Sequence, residues 1–74
     1  MADWRVWARV EQIGARQFIA IASAVPELPE DRAIVLTSIE PSLATANTAK
    51  ARLAIEMGER VRSQGHRVVD VEDD

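Results

Sequence analysis

Trp4-Arg5-Val6-Trp7-Ala8-Arg9-Val10 decides how this chain is folded. Trp4, Val6, Ala8 and Val10 fall on one side of a period-2 ladder and Arg5, Trp7 and Arg9 on the other, the alternation of a strand with one buried face. Gln12-Ile13-Gly14-Ala15 breaks the pattern, and Gly14 can supply the positive φ of a tight hairpin turn. A return strand follows over about residues 16 to 24, with Phe18, Ile19 and Ile21 set among small residues. Apolar residues on both of its faces predict a central strand, covered by a helix on one side and open to a partner on the other.

Outward from the hairpin, Pro26 and Pro29 end the return strand. Two residues without a ladder donor in so short a span exclude a central strand, so residues 25 to 31 read as an extended loop. Ala33-Ile34-Val35-Leu36-Thr37 is a β-branched run and predicts a third strand. Pro41 or Ser42 then opens a helix. Leu43, Ala46, Ala49, Leu53, Met57 and Val61 recur at steps of three and four and form one apolar stripe. Gly65 is its natural stop, with Arg60 and Arg62 suited to the negative end of the helix dipole. Gly58 interrupts the helix, either for close packing on the sheet or as an early end. Residues 66 to 72, with Val68, Val69 and Val71, predict a fourth strand.

The predicted fold is therefore α+β in the order β-β-β-α-β, one helix on a small, mostly antiparallel sheet of three or four strands. The short link at Gly65 sends the last strand back antiparallel to the helix. Val6, Phe18, Ile34 or Val35, Leu53, Met57 and Val61 form the expected core.

Composition bounds the rest. The chain has 74 residues, 47% of them hydrophobic, no cysteine and a formal charge of −3. It is a single domain over residues 1 to 74, near the lower size at which a core alone sustains a fold, where roughly 60% of the unfolded surface becomes buried. Without cysteine there is no disulfide and no thiolate metal site. A small domain without such staples favours assembly with a second copy, so a homodimer is expected. No apolar run is long enough for a transmembrane helix, and the first residues are not a signal peptide, so the expected location is the cytoplasm, away from membranes. All nine basic residues precede position 68, whereas Asp70, Glu72, Asp73 and Asp74 crowd the end. That acidic stretch, from about residue 70, is expected to fray in solvent.

The supply of catalytic groups is thin. His66 is the sole histidine and has no carboxylate at a ligand spacing. Ser23, Ser38, Ser42 and Ser63 lack a nucleophile-elbow setting, tyrosine is absent, and three scattered glycines make no phosphate loop. Glu27, Glu30 and Asp31 fall in the proline loop, where solvation is the default. No catalytic, metal or cofactor residues are assigned, and the chain is not expected to be an enzyme.

Binding is better supported. One helix can cover one sheet face. With Trp4 inward, Trp7 stands on the outer face between Arg5 and Arg9, a combination enriched at interface hot spots and able to stack on single-stranded RNA. The plainer alternative is that the arginine stems merely cover Trp7 on a solvated face. Ile55, off the helix stripe, is a further interface candidate.

Phe18-Ile-Ala-Ile-Ala-Ser-Ala-Val-Pro-Glu-Leu-Pro29, followed by a short strand and the Ala- and Asn-bearing Leu43-Ala-Thr-Ala-Asn-Thr-Ala-Lys-Ala-Arg-Leu53, resembles HicB-type antitoxin domains. The resemblance covers about residues 4 to 57 and agrees with the β-β-β-α-β order. Glu30 stands where that family usually has glycine, and Thr37-Ser-Ile-Glu-Pro41 replaces its Gly-Asp/Asn-Thr turn. Its Glu-Glu-Ala helix start and C-terminal DNA-binding segment have no counterpart in these residues. The resemblance implies a non-catalytic module that covers a small basic ribonuclease toxin. The alternative is a nucleic-acid-binding module using Arg5, Trp7, Arg9 and Arg16.

Overall fold

The alternation that begins at Trp4 runs further than its clearest repeat. In the computed structural model, which describes residues 3–28 and 32–73, β1 spans Asp3–Gly14 and β2 spans Gln17–Pro26. They are followed by β3 (Ile34–Glu40), α1 (Leu43–Ser63) and β4 (Arg67–Asp73), the expected β-β-β-α-β order. The sheet order is β3-β2-β1-β4. β1 pairs antiparallel with β2, and β2 with β3, whereas β4 runs parallel to β1. β3 and β4 thus lie on opposite edges, and α1 must cross the sheet between them. That crossing lays its apolar stripe over the central strands β1 and β2.

Register separates the two faces. Val6 lies opposite Ala24, Ala8 opposite Ala22 and Val10 opposite Ala20, with Ile34, Leu36 and Ser38 following on β3. This is the helix-covered face. Trp4, Val6, Ala8, Ala20, Ala22 and Ala24 are buried there beneath Ala49, Leu53, Met57 and Val61 of α1. Small residues on both elements let backbone approach backbone.

Several boundaries and core assignments differ from the sequence reading. The hairpin turns at Ala15 and Arg16, and the only glycine with positive φ among the described residues is Gly65. Ile13 instead forms a bulge between the Gln12–Phe18 and Gly14–Gln17 pairs, where the Gln12 side-chain amide donates to the Gly14 carbonyl at 2.9 Å. β2 continues through Val25 and Pro26. The last β2–β3 rung is Ala24–Ile34, so at Pro26 a missing N–H costs no bond to β3. Pro29, Glu30 and Asp31 of the expected loop lie outside the described residues. β3 extends to Glu40 rather than ending at Thr37. The acidic end expected to fray carries β4 rungs as far as Ala8–Asp73, because hydrogen bonding to β1 gives the backbone a partner; Asp74 lies outside the described residues.

Pro41 precedes the helix, and Ser42 is its N-cap, accepting from the Thr45 N–H at 3.2 Å. The helix runs past Gly58 to Ser63. Gly65, at φ 84°, then closes a Schellman end in which Gly65 N–H donates to the Arg62 carbonyl and His66 N–H to that of Val61. A β-carbon on Gly58 would meet the Arg62 guanidinium at 3.3 Å rather than the sheet, so close packing on the sheet is not its role. Leu43, at the first position of the helix, is 54% exposed rather than part of the core, and Phe18 is only half-buried. Ile34 faces the helix, and Val35 faces away.

Candidate functional site

The face of the sheet opposite α1 carries the isoleucines of β2, whereas β3 divides its apolar residues, with Ile34 and Leu36 toward the helix and Val35 and Ile39 away from it. Alternating with Ala20, Ala22 and Ala24, β2 presents Ile19, Ile21 and Val25 on this face, and β3 adds Val35 and Ile39. From β1 the face receives Arg5, Trp7 and Arg9. Val35 and Ile39 are 58% and 63% exposed, and no element among the described residues lies over them. Val25, at 41%, is exposed on the same face, while Ile13, Leu43 and Ile55 are exposed elsewhere on the molecule.

Trp7 occupies the middle of this face. It is half-buried, opposite Ser23 on β2 and register-matched to Glu72 on β4. Ser23 is buried although it too points away from the helix, because a small side chain between Trp7 and Val35 is shaded by both. The Arg9 guanidinium lies 5.0 Å from the Trp7 ring centre, while its Nε is 3.1 Å from Glu11 Oε1. Arg5 is exposed, and the register places Asp70 opposite it. Glu11 thus accompanies one of the two arginines beside Trp7.

Arg5, Trp7 and Arg9 therefore share one surface, as expected. Arg16 does not join them, since it sits in the β1–β2 turn beyond the sheet. Ile55 is also apart: 65% exposed, it lies on α1, across the sheet from Trp7, beside a shallow depression lined by Ala54, Gly58, Glu59 and Arg62. Sequence reasoning missed the contribution of β3, because Val35 was an alternative core residue and Ile39 lay beyond the expected strand end.

Two pairings at the other end of the sheet also escaped it. Asp3 and Arg67 form a two-toothed ion pair, Nε to Oδ1 and Nη2 to Oδ2 both at 3.0 Å, on the first β1–β4 rung. The hydrogen bond from Arg67, helped by its charge, holds the Asp3 carboxyl below the usual carboxylate range, and Asp3 in turn raises Arg67. The Trp4 ring packs on His66 at 5.2 Å between centres and 35° between planes, with Trp4 Nε1 and His66 Nδ1 both buried without a hydrogen-bond partner. His66 is thus a half-buried helix-end residue packed against the core.

Among the described residues, no three His, Cys, Asp or Glu side chains gather where they could hold a metal ion, and no helix is long and apolar enough to cross a membrane. These features define an α+β domain of one helix on a four-stranded mixed sheet with its opposite face uncovered. Comparison with protein-family models, curated proteins and solved structures finds no match.

Proposed function

We propose that this chain is a non-catalytic protein-interaction module, similar to HicB-type antitoxin domains, that acts in the cytoplasm as a homodimer and presents its open sheet face to a small basic protein. The observation that carries this reading is the distribution of side-chain size in β2: Ala20, Ala22 and Ala24 lie beneath the helix, while Ile19, Ile21 and Val25 line the uncovered face, joined there by Val35 and Ile39 of β3 and by Trp7. Burial of that apolar surface favours association, and Trp7 with its neighbouring arginines is the hot-spot chemistry of a protein contact. The formal charge of −3, with acidic residues concentrated near the end of the sequence, suits a basic partner.

The test is titration of the wild type and Trp7→Ala with the product of the neighbouring reading frame. Trp7→Ala is expected to keep the wild-type circular dichroism and to weaken binding at least tenfold, about 1.4 kcal/mol. Equal affinity for both proteins overturns the reading. The Arg9–Trp7 stack favours one alternative, single-stranded RNA. Binding of an RNA oligonucleotide, lost with Trp7→Ala and falling steeply with salt, would put nucleic acid in place of the protein partner.

A further inference from the structure

The two edges of the sheet are unlike. β4 closes one edge with Asp70, Glu72 and Asp73, and charge on an edge strand opposes pairing with another chain. β3 closes the other with Ile34-Val-Leu-Thr-Ser-Ile-Glu40, which has no proline, lysine or bulge and a single charge at its end. Hydrogen-bond parity shows which groups this edge leaves unpaired among the described residues. Glu27 N–H donates to the Asp3 carbonyl at 3.0 Å, so the hydrogen-bonded pairs of β1 and β2 are Arg5–Val25, Trp7–Ser23 and Arg9–Ile21. The intervening residues of β2 turn their backbone groups toward β3, where they meet Ile34, Leu36, Ser38 and Glu40. The N–H and C=O groups of Val35, Thr37 and Ile39 consequently point away from the sheet.

We propose that β3 pairs antiparallel with β3 of a second copy about a two-fold axis at Thr37, joining the two sheets into one of eight strands. The strand is self-complementary in this register. Val35 opposes Ile39 of the second copy, Thr37 opposes its own equivalent, and the outward groups form about six backbone hydrogen bonds. Val35 and Ile39, the most exposed apolar residues of the open face, become a cross-strand β-branched pair. Glu40 falls opposite Ile34 and diagonal to the exposed Arg32 of the second copy, so the strand ends attract and no like charges oppose. The inference rests on the homodimer part of the proposed function, and it leaves the open faces side by side for the other partner.

Sedimentation of the full chain at tens of micromolar, with single variants, tests it. The wild type is expected to be a dimer; a monomer overturns both the homodimer reading and this inference, leaving the bare edge to a strand of another protein. Thr37→Lys and Thr37→Glu each set like charges face to face at the axis, on a side chain exposed in the single chain. Each is expected to be a folded monomer, and an equimolar mixture should regain the dimer. Thr37→Pro removes an outward N–H, which an edge strand tolerates, and should also be monomeric; it carries the test if the charged variants fail to fold. A dimer that survives Thr37→Lys and Thr37→Pro but dissociates with Trp7→Ala keeps the homodimer and overturns the edge contact in favour of open faces stacked together. Folded monomeric variants whose mixture stays monomeric overturn the Thr37 register.

Discussion

The two faces of this sheet are built from the same strands and differ in what they can exclude from water. Under α1, Ala8, Ala20, Ala22 and Ala24 are fully buried, and Leu53, Met57 and Val61 fill the space above small residues. On the other face, larger side chains from the same strands stay partly or mostly exposed, Ser23 excepted. Along β2, residue size is thus inverted relative to burial, whereas β1 buries Trp4 and Val6 beneath the helix. A helix can approach the sheet closely only where side chains are short. An uncovered face of Ile, Val and Trp gains its full hydrophobic stabilisation only when a second surface arrives. The comparison teaches that the helix-covered face supplies the core of the chain, whereas the open face leaves isoleucine and valine partly in water.

The sharpest way to break this contrast is Leu53→Ala, expected to cost about 2–5 kcal/mol, much of the stability available to so small a domain. Urea unfolding that leaves the midpoint unchanged would show that the helix stripe does not hold the core. Ala22→Leu comes next, with an expected cost of about 1–3 kcal/mol from overpacking beneath the helix. Val35→Ala on the open face should change a monomer's stability by about 0.5 kcal/mol or less. Equal costs for these two would erase the difference between the faces. On the helix itself, Gly58→Ala should stabilise by about 0.5–1 kcal/mol, since alanine is the better helix former and the new methyl displaces only the flexible end of Arg62. A lower melting temperature would place a tight contact at Gly58 after all.

The smallest effect concerns the Asp3–Arg67 pair at the sheet end. A carboxyl whose pKa is lowered on folding stabilises the fold above its unfolded value, about pH 4, and that contribution disappears as pH falls through the lowered value. The stability advantage of wild type over Asp3→Asn should therefore be present at pH 7 and shrink on acidification below about pH 4. As an exposed pair it should also weaken with salt. An advantage that grows with acid would show that the pair does not form.

Local periodicity by itself determined the element order, the placement of Trp4 and Trp7 on opposite faces of the first strand, a helix start at Pro41 or Ser42 and the Gly65 stop. Each of these depends on side chains within a few residues of one another, where strand and helix repeats and φ preferences act directly. Tertiary structure decided what such patterns cannot encode. Phe18-Ile-Ala-Ile-Ala-Ser-Ala24 is apolar on both faces, so its alternation could not say which set lies beneath the helix. The register with Val6 and Ala8 answers that. Pro26 and the acidic end remain in strands because a neighbouring backbone stands beside them, and local propensity contains no term for a neighbour. The open surface likewise combines residues from β1, β2 and β3, far apart along the chain, and becomes one surface only when their ladders align.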